Sequence, residues 1–520
     1  MIDGLGDVLS IFMFAATIGL VLIGYPVAFT LAGIALIFAF IGYGFGVFDM
    51  SFFAGLPPRY IGVMTNEVLV AVPLFIFMGV MLERSNIAGS LLETMGQLFG
   101  AMRGGLGVSV IVVGTLLAAS TGIVGATVVT MGLLSLPAMM KAGYDPKLAT
   151  GIICASGTLG QIIPPSIVLI LLADMLAGAN MMAQLAKGNF TPEPVSVGQL
   201  FAAAMIPGLI LAGMYIVYVL VQALISPERC PAIVMSADER RSLGGRVFTT
   251  LFPPLLLIVA VLGSILGGIA TATEAASVGA LGAIMLAAGK RELSWTQLKE
   301  TMRSTLLVTS LVFAIVLGAS VFSLVFRGLG GEELVHRVLA AMPGGVSGAV
   351  LSVLFFMFIL GFLLDTFEIL LIVVPITAPA LLFMDIDPIW LGIMIGMVLQ
   401  TSFLTPPVGF SLFYLRGVAP PSIKTGDIYR GVIPFVTMQV AGMAVLWMLP
   451  QSVTWLPNVI FGPPSSIAGE TTPERSIDSG DGALERDPGN FTIDFGDDGG
   501  LDTAPDIDFG GGLDRDPTEE

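Results

Sequence analysis

The sequence predicts an all-α polytopic membrane protein with two inverted structural repeats, each containing a re-entrant helical hairpin and a broken helix. Hydrophobic residues make up 55% of the chain and charged residues 12%, whereas about a quarter of the residues in a soluble domain are charged. Apolar runs long enough to cross a bilayer recur along the chain. Two of these runs are interrupted by a Pro-Pro pair, and the pairs lie 242 residues apart.

Ten apolar runs predict membrane spans, and two longer runs predict hairpins. The spans lie at about 8–24, 27–47, 69–84, 148–173, 199–225, 247–263, 265–289, 305–326, 389–413 and 431–450. The longer runs, at about 106–140 and 348–384, have polar or glycine-rich residues near their centres.

Lys and Arg predict the orientation, because cytoplasmic loops retain them. The segments 229–246 and 290–303 contain four basic residues each and are separated by two spans, so both can be cytoplasmic. Counting spans outward from these two segments places most of the other Lys and Arg residues in the cytoplasm only if the two long runs do not cross the membrane. Each long run must then enter and return on the same side. The first hairpin then enters from the cytoplasm and the second from outside, with both termini outside. The basic residues predicted on the outer side are Arg59, Lys187, Arg327 and Arg337.

Three landmarks recur at one offset and predict an internal repeat. They are Pro137 and Pro379, Asp145-Pro146 and Asp387-Pro388, and Pro164-Pro165 and Pro406-Pro407. The charge pattern gives the two copies opposite orientations. Inverted repeats with interrupted helices are typical of secondary transporters, whose sites lie at the repeat interface near the bilayer midplane.

The broken helices are the first candidate sites for a small cation or an anionic ligand. A Pro-Pro pair frees carbonyl groups upstream of it, and irregular backbone inside a bilayer must be buried in protein or line a cavity. Freed carbonyls and hydroxyls can coordinate a small hard cation, and N–H groups at a half-helix start can hold an anion. The alternative is a kink used for packing. The candidates are Ser156, Gly157 and Thr158 in copy one and Gln400, Thr401, Ser402 and Thr405 in copy two.

The hairpin centres are the second group of candidates, because carboxylates inside a membrane are costly and usually functional. Asp365 could neutralise a cation or cap the returning helix of its hairpin. Glu274, with Thr271 and Thr273, is a possible additional site within a predicted span, or a buried acid bonded to these threonines. The hairpin candidates are Ser120, Thr121, Gly122, Gly125 and Thr127 in the first, and Asp365, Thr366 and Glu368 in the second.

The net charge of −16 belongs mostly to the C-terminal segment. Residues 463–520 contribute −13 of it, and their Gly-, Pro- and Asp-rich composition predicts a disordered acidic tail. The remaining chain is nearly neutral, which gives no support to nucleic-acid binding. A single histidine, His336, argues against a multi-histidine metal site and against an intramembrane enzyme.

At these motifs the chain resembles the large membrane subunit of the tripartite ATP-independent periplasmic (TRAP) transporters, in the dicarboxylate branch whose members carry mannitol and chloroaromatic labels. The resemblance runs from about Ile11 to Trp447. The stretches that support it are "VPLFIFMGVMLERS", "GATVVTMGLLSLPAM", "GYDPKLATG", "ASGTLGQIIPPSIVL", "TATEAA" and "LQTSFLTPPVGFSLFYLRGVAP". The chain has "STGIVGAT" where many relatives have a Ser-Gly-Ser hairpin tip.

The resemblance implies a sodium-driven importer of small organic acids in the bacterial inner membrane, moving its cargo with an elevator-type transport domain. It implies a separate four-helix membrane subunit and a periplasmic binding protein as partners, and no cofactor besides coupling sodium ions. The alternative is a stand-alone ion-coupled anion transporter with a similar two-hairpin fold; a channel is a further one.

The domain organisation follows the repeat. Residues 1–100 and 199–345 are expected to form scaffold and connecting spans. Residues 101–198 and 346–428 are expected to supply the hairpins and broken helices of the transport domain. A last span is expected within 429–462, ahead of the tail at 463–520.

Overall fold

The computed structural model describes residues 2–85, 87–122, 124–190, 192–232 and 237–462. Every regular element within these residues is a helix, so the predicted all-α fold class is confirmed. The predicted disordered tail lies outside the described residues.

Twenty α-helices make up the described part of the chain. The first ten are α1 (Ile2–Ile23), α2 (Val27–Gly44), α3 (Leu56–Met64), α4 (Glu67–Arg84), α5 (Ile87–Gly100), α6 (Gly105–Thr121), α7 (Val124–Lys141), α8 (Pro146–Thr158), α9 (Ile167–Ala186) and α10 (Val197–Ile225). The others are α11 (Ala237–Leu266), α12 (Ala272–Gly289), α13 (Trp295–Gly328), α14 (Gly331–Ala340), α15 (Gly345–Leu360), α16 (Thr366–Phe383), α17 (Pro388–Leu404), α18 (Phe410–Val418), α19 (Thr425–Met448) and α20 (Gln451–Phe461). Short 3-10 helices span Met50–Gly55, Leu159–Gln161 and Pro227–Arg229.

Ten of the described helices are long and apolar enough to cross a membrane. The number is eleven if Met50–Met64 and Glu67–Arg84, which meet at 49°, form one bent span. The chain is therefore a multi-pass membrane protein. The predicted breaks within 148–173 and 389–413 are confirmed, because each run consists of two helices separated by a non-helical segment.

Both predicted hairpins are present as pairs of helices. α6 and α7 are joined at Gly122, which ends α6 in the left-handed conformation at φ 61°. α15 and α16 are joined by residues 361–365. The first arms, α6 and α15, have 17 and 16 residues, about 25 Å at 1.5 Å per residue, which is less than the thickness of the hydrocarbon core. The second arms, α7 and α16, have 18 residues each and belong to the ten helices that are long enough to cross, so the return of each hairpin on one side, and the side from which it enters, stay predictions.

The landmarks of the repeat occupy equivalent structural positions. Asp145 and Asp387 are the N-caps of α8 and α17, and a proline follows each cap at the first helical position, where its missing N–H costs nothing. Pro137 and Pro379 lie inside the second hairpin arms. The peptide bonds within both Pro-Pro pairs are cis.

The hairpins exchange contacts between the two copies. Each first arm packs on the leading half-helix of its own copy: α6 on α8, and α15 on α17. Each second arm packs on the trailing half-helix of the other copy: α7 on α18, and α16 on α9. The two copies therefore form one interlocked body around the two breaks.

Short amphipathic helices were missed by the sequence prediction. α5 and α14 each precede a hairpin, so they extend the repeat by one element. α14 carries Glu332, Glu333, His336 and Arg337 in ten residues, while Leu339 is buried. Such a helix is too polar to register as a span and too short to show a clear period.

Candidate functional site

The first broken helix leaves an enclosed gap between α8 and α9. α8 ends at Thr158, one 3-10 turn covers 159–161, and α9 begins at Ile167. The two consecutive prolines explain the gap, since neither can donate an N–H to a helix. All of 159–166 is buried, which satisfies the requirement that irregular backbone in a bilayer be shielded by protein.

The candidate hydroxyls of copy one are bonded within their own helix. Ser156 Oγ and Thr158 Oγ1 each donate to the carbonyl three residues earlier, at 3.2 and 2.9 Å. Their oxygens retain acceptor capacity for a ligand. Gly157 has a packing role as well, because a Cβ there would collide with Val128 of the first hairpin.

The second break is more open than the first. Gln400, Thr401 and Ser402 at the end of α17 are fully buried, whereas Thr405 is partly buried and Pro407 is exposed. Thr401, Ser402 and Thr405 donate to carbonyls of their own helix at 2.7, 2.8 and 2.7 Å. The second break is therefore less completely buried than the first.

The first hairpin tip lies against the trailing half-helices of both copies. A Cβ at Gly122 would come within 3.1 Å of the Ile167 backbone nitrogen, and one at Gly125 within 3.0 Å of the Tyr414 ring. Thr127 is buried, with a 2% exposed fraction. The side chains of Ser120 and Thr121 lie outside the described atoms.

The second hairpin tip places two carboxylates side by side. Asp365 is the N-cap of α16, and its backbone N–H donates to Glu368 Oε2 at 3.0 Å. Both side chains are partly buried, and Thr366 is buried. The capping role suggested for Asp365 is thus present in the structure; its role toward a cation remains a prediction.

A direct hydrogen bond joins the first broken helix to the second hairpin tip. Gln161 Nε2 donates to Thr366 Oγ1 at 2.7 Å, and both side chains are buried. Gln161 Oε1 is buried without a partner among the described residues. A buried amide oxygen without a partner indicates a place for a water molecule or an ion.

A second buried polar cluster contains Tyr215, Gln439 and Gln400, and Gln400 lies near the end of α17 just before the second break. Gln439 Nε2 donates to the Tyr215 hydroxyl at 2.9 Å, and both side chains are fully buried. The Gln400 amide lies near the same hydroxyl, but neither of its polar atoms forms a hydrogen bond of normal geometry with a described residue. The end of α17 therefore also offers unsatisfied polar atoms to a small ligand.

Oxygen atoms would have to provide the coordination of any cation here. No group of three or more His, Cys, Asp or Glu side chains within the described ranges could hold a metal ion. The donors present are freed carbonyls, hydroxyls, the Gln161 amide oxygen and the Asp365–Glu368 pair. Neutral oxygens with one or two carboxylates suit a hard cation better than a transition metal.

The possible additional site at Thr271, Thr273 and Glu274 lies at the start of α12; the suggested bond between Glu274 and Thr271 is present, and the suggested burial of Glu274 is wrong. Glu274 is exposed rather than buried, and it forms a capping box with Thr271 at the start of α12, with hydrogen bonds of 2.8–3.2 Å. Thr273 donates to the Glu67 carbonyl at 2.6 Å. A loop at 267–271 separates α11 from α12, a few residues after the boundary predicted between the spans 247–263 and 265–289.

Sequence reasoning missed Gln161, Tyr215 and Gln439. Each is a polar residue inside an otherwise apolar run, and this is the signal that could have identified it. Gln161 had the stronger signal, because it stands between Gly160 and the Pro-Pro pair.

Comparison with known proteins connects this architecture to one family. Residues 14–452 match the family described as "Tripartite ATP-independent periplasmic transporter, DctM component". The C4-dicarboxylate TRAP transporter large permease protein DctM of Vibrio cholerae is 28% identical over 478 residues, covering 87% of this chain and 98% of that protein. The ectoine TRAP transporter large permease protein TeaC of Halomonas elongata is 28% identical over 457 residues, covering 86% and 99%.

A solved structure shows the same fold. The YdaH transporter of Alcanivorax borkumensis superposes with a TM-score of 0.56 at 15% identity, covering 80% of this chain and 90% of that one. At this identity the likeness concerns the fold alone. Since the family match spans most of its length, the chain belongs to the DctM component family, the large permease subunits of the tripartite ATP-independent periplasmic transporters.

Proposed function

We propose that this inner-membrane permease imports a small organic acid, driven by sodium. The observation that carries the proposal is the Gln161–Thr366 hydrogen bond, because it brings a broken helix of one copy to the hairpin tip of the other. Carbonyls, hydroxyls and the Asp365–Glu368 pair around this junction supply oxygen ligands for sodium. The N-termini of α9 and α16 supply N–H groups for a carboxylate.

Sodium binding would precede substrate binding. A cation between the freed carbonyls and the tip carboxylates offsets their repulsion of an anionic substrate. The loaded hairpins and broken helices would then move together against the remaining helices, in an elevator motion. Support for a carboxylate comes from the C4-dicarboxylate relative, and the ectoine relative indicates that cargo differs within the family.

Two partners complete the proposal: a small four-helix membrane subunit on a separate chain, and a periplasmic protein that captures and delivers the acid. The test is uptake by liposomes containing all three proteins, with a panel of mono- and dicarboxylates. Uptake should follow an imposed sodium gradient and should be absent with a potassium gradient. Equal uptake under both gradients would overturn the coupling.

The alternative is a stand-alone anion transporter, and the same liposomes distinguish it. This chain alone should be inactive if delivery by a binding protein is required. Full sodium-driven uptake by the chain alone would support the alternative.

A further inference from the structure

A cavity of about 540 Å³ lies between the second hairpin and the helices that surround it. α16 and α9 form one wall, and α3, α4 and α13 form the other. This volume is ample for a small organic acid. The cavity reaches Leu371 on α16, five residues after Thr366 at the hairpin tip, which is about 7–8 Å along a helix.

Two arginines line the cavity, and they differ in their partners. Arg327 is engaged, because Glu332 accepts from its Nε at 2.9 Å and from its Nη2 at 2.6 Å. Arg59 is partly buried, and its guanidinium makes no hydrogen bond or ion pair with any residue that the structure describes. Its charge is attracted by Glu332 at longer range and repelled by Arg327; a partly shielded cation without a direct partner is costly, and an anionic ligand would remove that cost.

The carboxylates on the cavity wall already have partners. Asp174 accepts a hydrogen bond from Asn66 Nδ2 at 2.7 Å, Glu332 is held by Arg327, and Glu193 has an interaction of its own. None of them forms a salt bridge to Arg59. The five N–H donors of Arg59 therefore remain for a ligand, in a fork that matches a carboxylate.

We infer that Arg59 binds the carboxylate of the incoming acid in this cavity, which is a reception site between the outer surface and the hairpin tip. The inference rests on the proposed function. The outer placement follows from the basic-residue pattern, in which Arg59 and Arg327 both belong to the predicted outer side. The acid would bind here before sodium-dependent transfer to the junction at Thr366.

The test compares Arg59→Gln and Arg59→Lys with the wild type in the three-protein liposomes. The substrate is whichever of succinate, fumarate, pyruvate and 2-oxoglutarate the wild type takes up fastest. Arg59→Gln should raise KM about tenfold or more, with kcat and sodium dependence nearly unchanged, and Arg59→Lys should restore part of the affinity. Arg337→Gln is the matched control, because Arg337 pairs with Asp7 at 2.6 Å and does not line the cavity.

A labelling experiment tests occupancy independently of transport. Ser323, which lines the same cavity and is partly buried, is replaced by Cys, and its reaction with a maleimide is followed in the complete complex; both native cysteines are buried. The acid should slow labelling in this variant and fail to do so once Arg59→Gln is added. Unchanged KM in Arg59→Gln, or equal protection with and without Arg59, would overturn the inference. Absence of sodium-driven uptake in the wild type would instead overturn the proposed function.

Discussion

Gln161 and Thr366 are 205 residues apart in sequence, yet their side chains meet in a buried hydrogen bond of 2.7 Å. The bond joins the first broken helix to the second hairpin tip, the two elements that the sequence identifies as candidate sites. A ligand that fixes the conformation of the second hairpin tip would therefore also affect the first broken helix, through this hydrogen bond.

Gln161→Leu should reduce sodium-driven uptake about tenfold, because it removes the hydrogen bond and the unpartnered amide oxygen together. Thr366→Val removes the bond from the other side. If both act through this contact, the double variant should be scarcely worse than Gln161→Leu alone. Gln451→Leu, at an exposed position in α20, should match the wild type. If the fold-reductions in uptake of the two single variants instead multiply in the double variant, the two residues act separately.

Asp365→Asn should separate the cap of α16 from the charge at the hairpin tip. Asn caps helices about as well as Asp, whereas Ala costs about 1 kcal/mol. If the carboxylate binds sodium, Asn and Ala should both raise the sodium concentration needed for half-maximal uptake. If Asp365 only caps, Asn should behave as the wild type and Ala should lower the melting temperature in detergent. Sodium titrations and thermal unfolding of both variants distinguish the outcomes.

A covalent link between α4 and the first hairpin should stop transport. Thr130 of α7 donates to Glu83 of α4 at 2.8 Å, a contact that must break if the hairpins move against the surrounding helices. A short thiol cross-linker applied to Glu83→Cys/Thr130→Cys should abolish uptake. The control is Lys187→Cys/Asp385→Cys, whose native residues form an ion pair within the predicted transport segments. Continued uptake by the first linked pair would exclude relative motion there.

Gly157→Ala should destabilise the protein by about 1–3 kcal/mol, since its added methyl group collides with Val128. Gly213→Ala is the matched control in α10, where a Cβ has open space around it. That control should be neutral or slightly stabilising. Melting temperatures in one detergent measure both effects, and equal melting temperatures would show that the first hairpin can shift to accept the methyl group.

The sequence was most informative where the cause of a structure is local. Proline removes an N–H wherever it stands, so both breaks could be placed from Pro164-Pro165 and its counterpart in copy two, while the hairpins were predicted from the polar and glycine-rich centres of two long apolar runs. An Asp-Pro pair stands at the starts of α8 and α17 for an equally local reason, since Asp caps a helix and proline is accepted at its first position.

Features that depend on distant partners could not be predicted. The neighbour of Gln161 is chosen by the packing of the second hairpin on the first broken helix, and no local pattern encodes it. Glu274 lies in the first turn of α12, where its capping box with Thr271 leaves it exposed, and the apolar sequence around it did not reveal that helix start. Arg59 becomes a candidate ligand-binding residue only from the structure, in which its guanidinium forms no hydrogen bond or ion pair with a described residue.

Because each second arm packs on a half-helix of the other copy, cutting the chain between the two copies would separate packing partners. A fragment ending between α10 and α11 would contain the first hairpin without α18, one of the helices on which α7 packs, and its complement would contain α16 without α9. Each fragment would leave exposed the face of its second arm that packs on the other copy. Co-produced in one membrane, the two fragments would supply each other's missing helices and cover these faces.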